Sequence, residues 1–153
     1  MQSEKAGPPS FYLNLHTSDP EACLAFYTAL DFSHVKDYSD DKTKAFRLPQ
    51  PNQNICLMVH ANTRFQEFIR PGTQITDATK ATEGIFSISV GDEQSVDDAV
   101  KKAIDAGGVA DPYIMPSYGA ECGMYTRSFT DLDGHIWEFL TMTGSCGGDN
   151  KDA

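Results

Sequence analysis

Two stretches of this chain, 73 residues apart, carry the same strand and helix pattern, and that repetition limits the folds open to it. In the first, Phe11, Leu13 and Leu15 alternate with Tyr12, Asn14 and His16, the period of a strand with one apolar face. Asp19 is then placed to cap a helix that has Pro20 at its first position and Glu21 in its first turn. Cys23, Phe26, Tyr27 and Leu30 follow at i, i+3, i+4 and i+7, one apolar helix face. In the second stretch Phe86, Ile88 and Val90 alternate with Ile85, Ser87 and Ser89, and Gly91-Asp92 leads into a helix. Val96, Ala99, Val100, Ala103 and Ile104 form that helix's apolar face, and Gly107-Gly108 ends it. Leu13 matches Phe86, Asp19 matches Asp92, Cys23 matches Val96 and Leu30 matches Ala103, with no gap.

Each stretch continues into three strand-like runs. These are Ser33 to Tyr38, Lys44 to Leu48 and Asn54 to Ala61, then Pro112 to Pro116, Met124 to Thr130 and Ile136 to Met142. Asp131-Leu-Asp-Gly134 reads as the hairpin turn between the last two, with Gly134 in the positive-φ position. The expected fold is α+β: two βαβββ modules whose curved mixed sheets surround a shared cavity. The expected domain is 10–142, with module one at 10–69, a linker at 70–80 and module two at 81–142. Residues 1–9 and 143–153 are rich in Gly, Ser, Pro and charge and read as flexible tails.

A chain of 153 residues buries a working core without staples. Its formal net charge of -10 repels phosphate backbones and anionic lipid, which argues against nucleic acid and membrane partners. No apolar run reaches the roughly 20 residues of a membrane span. Cys23, Cys56, Cys122 and Cys146 form no CxxC pair, so neither a disulfide framework nor a zinc site is expected. With no apolar signal core near Met1, a reducing cytoplasmic location is the expectation.

Asn14-Leu-His-Thr-Ser-Asp-Pro-Glu-Ala-Cys-Leu-Ala-Phe-Tyr27 and the following Ala-Leu-Asp-Phe32 resemble the opening of vicinal-oxygen-chelate proteins. That superfamily comprises the glyoxalase I, bleomycin-resistance and extradiol-dioxygenase proteins. Arg127-Ser-Phe-Thr-Asp-Leu-Asp-Gly-His-Ile-Trp-Glu138 is similar to its last hairpin. Ala81 to Val90 with Ala106-Gly-Gly108 resembles a subgroup related to lactoylglutathione lyase. The resemblance implies a homodimer that binds a small organic molecule. Metal-dependent members hold a divalent ion with His, Glu or Gln from the first and fourth strand of each module. Carried onto this sequence, those positions are Tyr12, Val59, Ile85 and Glu138. Only Glu138 is a usual ligand; a tyrosine phenol titrates near 10, and Val and Ile offer no donor.

The expectation is therefore a glyoxalase-like binding protein without the usual metal, which sequesters or transforms its ligand by acid–base chemistry. The alternatives are a metal-dependent lyase or isomerase with non-standard ligands, and a non-catalytic dimeric scaffold. Glu138 and Glu83 are the candidate acid–base carboxylates. Tyr12, Asn14, His16, Val59, Ile85 and Arg127 are the candidate substrate contacts, and Arg127 is also a candidate partner of Glu138. A register shift of one residue puts Ser128 opposite Glu138 instead. His60 is expected on the face away from the ligand position, unless the strand slips by one. His135, Asp131 and Asp133 read as turn residues. Phe65, Phe68 and Ile69 stand at helical spacing as a cap over the cavity, a dimer contact or simple core. Tyr113, Met115, Tyr118, Met124 and Tyr125 are candidate cavity walls.

Overall fold

The computed structural model describes residues 7–114 and 121–144. The first half contains β1 (Phe11–Thr17), α1 (Pro20–Ala29), β2 (Ser33–His34), a 3-10 turn (Lys36–Tyr38), β3 (Thr43–Arg47), β4 (Ile55–Ala61) and α2 (Asn62–Phe65). The second contains β5 (Ile85–Ser89), α3 (Glu93–Asp105), β6 (Val109–Ala110), β7 (Met124–Thr130) and β8 (Ile136–Met142). The tails expected at 1–9 and 143–153 fall mostly outside the described residues, as do Met115, Tyr118 and Cys146.

The capping acids act as the sequence suggests. The Asp19 carboxylate accepts from the Glu21 and Ala22 amides at 3.1 Å each, and the Asp92 carboxylate accepts from the Ser95 amide at 2.7 Å. Gly107, at φ +101, and Gly108 close α3: the Gly107 amide donates to Ile104 O and the Gly108 amide to Ala103 O. A Cβ on Gly108 would lie 2.4 Å from the Thr130 carbonyl, so the side chain must be absent for the helix end to meet β7. After α3, three residues longer than α1, the two halves run out of their constant offset.

Two four-stranded open mixed sheets result, in the orders β1-β4-β3-β2 and β5-β8-β7-β6. In each, the first strand runs parallel to the fourth and the remaining pairs are antiparallel. The two halves share one core. Tyr27 of α1 packs against Phe32 and Phe46 of its own half and against Trp137 of β8. Its hydroxyl donates to the buried Asp131 carboxylate at 2.5 Å and accepts from the Trp137 indole at 3.1 Å. α1 packs on the inner face of the first sheet and α3 on that of the second, the two helices touch, and each sheet keeps an outward face.

Three expected elements differ. The run Ser33 to Tyr38 is strand only at Ser33–His34 and then turns into the 3-10 segment, where the Ser39 hydroxyl bonds the Val35 carbonyl. The sixth strand is Val109–Ala110 and not Pro112 to Pro116, of which 115 and 116 lie outside the described residues. Asp111 adopts φ 48, which takes the chain off the strand path before Pro112. The helix around Phe65 is a single turn, Asn62–Phe65, with Phe68 and Ile69 beyond it.

Candidate functional site

The register of the first sheet decides which side chains reach its open face. β1 pairs β4 with Leu13 beside Leu57, Leu15 beside Val59 and His16 beside His60. Leu15, Leu57 and Val59 join the core, and Val59 is fully buried. Val59, expected to contact substrate, therefore faces inward and cannot line a pocket on the open face. His60 is the residue that faces outward there, with Tyr12, Asn14 and His16. The slip that the sequence leaves open is the arrangement adopted.

His60 is held on both sides. Its Nε2 donates to Asn14 Oδ1 at 2.8 Å, since an amide oxygen only accepts. Its Nδ1 lies 2.8 Å from the Thr43 hydroxyl, which accepts from Arg64 at 2.7 Å, and Arg64 pairs with Asp40. Burial and then the Arg64 charge hold the His60 pKa below its ordinary value. The imidazole is thus neutral near pH 7, with Nδ1 accepting the Thr43 hydroxyl proton. Phe65 and Phe68 lie over this end of the sheet, with ring centroids 6.4 and 5.0 Å from His60.

In the second sheet Glu138 stands on the open face, beside Ser87 of β5 and opposite Ser128 of β7. The Ser87 hydroxyl donates to Glu138 Oε1 at 2.8 Å and the Tyr113 hydroxyl to Oε2 at 2.9 Å. Burial first, and then the bond to Glu138, raise the Tyr113 pKa well above the usual phenol value, so it remains a donor. Each carboxylate oxygen keeps acceptor capacity for a further donor. Thr126, on the same face as Ser128, has a buried hydroxyl oxygen without a partner among the described residues. Ile85 is 49% exposed at one edge of this sheet, and Tyr12 is 46% exposed on the corresponding strand of the other. Met124 falls on the same side as Thr126, whereas Tyr125 donates to Asp97 on the helix side.

Arg127 is not on this face. It stands opposite Phe139 and reaches the helix side, where it pairs with Asp111 at 2.9 Å and Asp97 at 3.3 Å. The five-residue loop between β7 and β8 fixes that register and gives Ser128, not Arg127, to Glu138. Glu83 is not beside Glu138 either. It pairs with Nδ1 of His135, three residues before Glu138 and about 10 Å away along an extended strand. The expected Glu83–Glu138 pair is therefore not assembled.

Among the described residues the only cluster with three groups close enough to hold a metal ion is Asp131, Asp133 and His135. Its groups are already engaged. Asp131 accepts from Tyr27 and from the Asp133 and His135 amides, and Asp133 accepts from Thr17 and Ser18 across the half boundary. His135 bonds Glu83 and, through Nε2, the His16 carbonyl at 2.8 Å. The cluster builds the β7–β8 turn and fastens it to β1. Glu138 belongs to no such cluster among the described residues, so the residues around it do not fit the divalent ion that the sequence resemblance implies.

No protein-family model matches the sequence, and no curated protein matches it. Solved structures do. A hypothetical protein of S. aureus, SA1046, is 29% identical over 89% of this chain and 95% of its own, with a TM-score of 0.66. A glyoxalase/bleomycin resistance protein/dioxygenase family enzyme of Burkholderia phytofirmans PsJN is 18% identical over 86% and 96%, with a TM-score of 0.64. A glyoxalase-related enzyme of Fulvimarina pelagi is 19% identical over 99% and 100%, with a TM-score of 0.67. With its paired βαβββ halves and these likenesses, the chain has the fold of the glyoxalase/bleomycin resistance/dioxygenase proteins, the vicinal-oxygen-chelate superfamily.

Proposed function

We propose that this protein binds a small organic molecule on the open face of its second sheet, with the Glu138 carboxylate as the recognising group and no metal between them. The observation that carries this reading is the pair of hydroxyl donors, Ser87 and Tyr113, on the two oxygens of Glu138. They fix the orientation of the carboxyl group and leave a lone pair on each oxygen for a ligand N–H or O–H. Ile85 and Leu140 supply apolar surface beside it, and Ser128 adds a hydroxyl. A carboxylate so held accepts a hydrogen bond from a bound molecule, or a proton if the molecule is acid enough. The names of the Burkholderia and Fulvimarina proteins, both enzymes, make turnover the natural extension.

The test uses protein purified without a metal-affinity tag. Native mass spectrometry reports co-purifying small molecules, and elemental analysis reports metal content. The expected result is a small-molecule adduct lost in Glu138→Gln, which keeps the side-chain shape and removes the charge, with metal far below one equivalent. Stoichiometric divalent metal that disappears in Glu138→Gln would overturn the reading in favour of a metal-dependent lyase.

A further inference from the structure

A cavity of about 170 Å³, separate from the Glu138 face, lies where the end of β1 meets the start of the second half. Phe65, Ile69 and Ile75 form much of its wall, and His16, Glu83 and His135 border it. None of these residues belongs to the Glu138 face. Asn14, Gln74 and Thr76 border it as well, and of its titratable groups two are committed and one is not. Glu83 and His135 are bonded to each other, and the second nitrogen of His135 is bonded to the His16 carbonyl. The ring of His16 is held edge-on by His135, with centroids 4.7 Å apart, and rests against Phe65 at 5.6 Å. Its Nδ1 lies 3.1 Å from Asn62 Oδ1, an oxygen that only accepts, so Nδ1 carries the proton. Nε2 is then a bare lone pair, and it is buried without a partner among the described residues. Buried acceptors are nearly always paired in folded proteins, and one that is not invites a donor.

The geometry points to a binding site for a small neutral molecule with a ring-sized apolar body and one O–H or N–H donor, of the phenol class, donating to His16 Nε2. The size argument is direct: a cavity of about 150 Å³ takes a benzene ring. The apolar residues exclude a strongly hydrated solute. Glu83 at the rim disfavours an anion, and its charge is already answered by His135, so it does not call for a cation.

The experiment titrates the intact protein with phenol, and separately with toluene, which has the same ring and no donor. Long-range 1H–15N correlation of the imidazoles reads the His16 Nε2 shift directly. Saturable movement of that resonance with phenol, and affinity for phenol roughly five- to tenfold above toluene, is expected. In His16→Phe phenol should bind no better than toluene, and Ile69→Trp, which fills the cavity, should abolish both. Failure of phenol to move Nε2 saturably, or equal affinity for phenol and toluene in the wild-type protein, overturns the site; neither comparison depends on a variant folding. Persistence of phenol binding in a folded Ile69→Trp protein also overturns it. Glu138→Gln should leave the phenol titration unchanged, so this site and the Glu138 reading stand or fall separately.

Discussion

Tyr27 carries the joint between the two halves, and Tyr27→Phe measures what that joint contributes. The ring is fully buried among Phe26, Phe32, Phe46 and Trp137, and Phe retains those contacts. What disappears is one oxygen with two bonds. Asp131, almost fully buried, loses a donor at 2.5 Å, and the fully buried Trp137 indole N–H loses its acceptor at 3.1 Å. A hydrogen bond to a charged group contributes about 1.5–3 kcal/mol and a neutral one about 0.5–1.5 kcal/mol. The sum is about 2–4.5 kcal/mol, and at about 2–4 °C per kcal/mol for a chain of this size the melting temperature should fall by about 4–18 °C. Burial is the main influence that raises the Asp131 pKa, and the Tyr27 bond opposes it. The variant's penalty should therefore shrink toward acid pH, as Asp131 takes up a proton. Urea denaturation followed by Trp137 fluorescence is the assay, with Asp131→Asn and the double variant completing a cycle. A loss below about 0.5 kcal/mol, or full additivity of the two changes, would refute the claim that this oxygen joins the halves.

Val59→Ala should cost about 2 kcal/mol from lost burial and cavity formation, and should leave ligand binding at Glu138 unchanged, as thermal melts and native mass spectrometry would read. Gly108→Ala should cost about 1–3 kcal/mol in the same melts, because its Cβ would collide with the Thr130 carbonyl. His135 is expected to make stability fall with rising pH. Its burial lowers the pKa, but the Asp131 charge, the bond to the His16 carbonyl and Glu83 together raise it above the ordinary value. A raised folded-state pKa means the contribution is complete below about pH 6.5, the unfolded value, and is lost as pH climbs through the folded one. Urea midpoints across that window should flatten in His135→Gln; an unchanged slope would exclude the imidazolium as its source.

Much of this protein is legible in its residues. The repeat between β1–α1 and β5–α3, the capping acids Asp19 and Asp92 and the glycine stop at Gly107-Gly108 follow from local chemistry, because period and capping act over a few residues. Glu138 reads as outward for the same reason, since Trp137 and Phe139 beside it are apolar and it is not. The fourth strand resists such a reading. Ile55, Cys56, Leu57, Met58 and Val59 are apolar on both faces, so alternation assigns no inside, and only pairing with β1 buries Val59 and turns His60 outward. In β7, Arg127 and Ser128 are both polar, and the choice between them rests on the hairpin register and on Asp97 and Asp111, 30 and 16 residues away. The pairing of Glu83 with His135 joins residues 52 apart and becomes visible only when β5 lies along β8. Local residue chemistry determined the units and their caps, while strand pairing across distant segments decided which side chains meet, because hydrogen-bond register is a property of two strands and not of one.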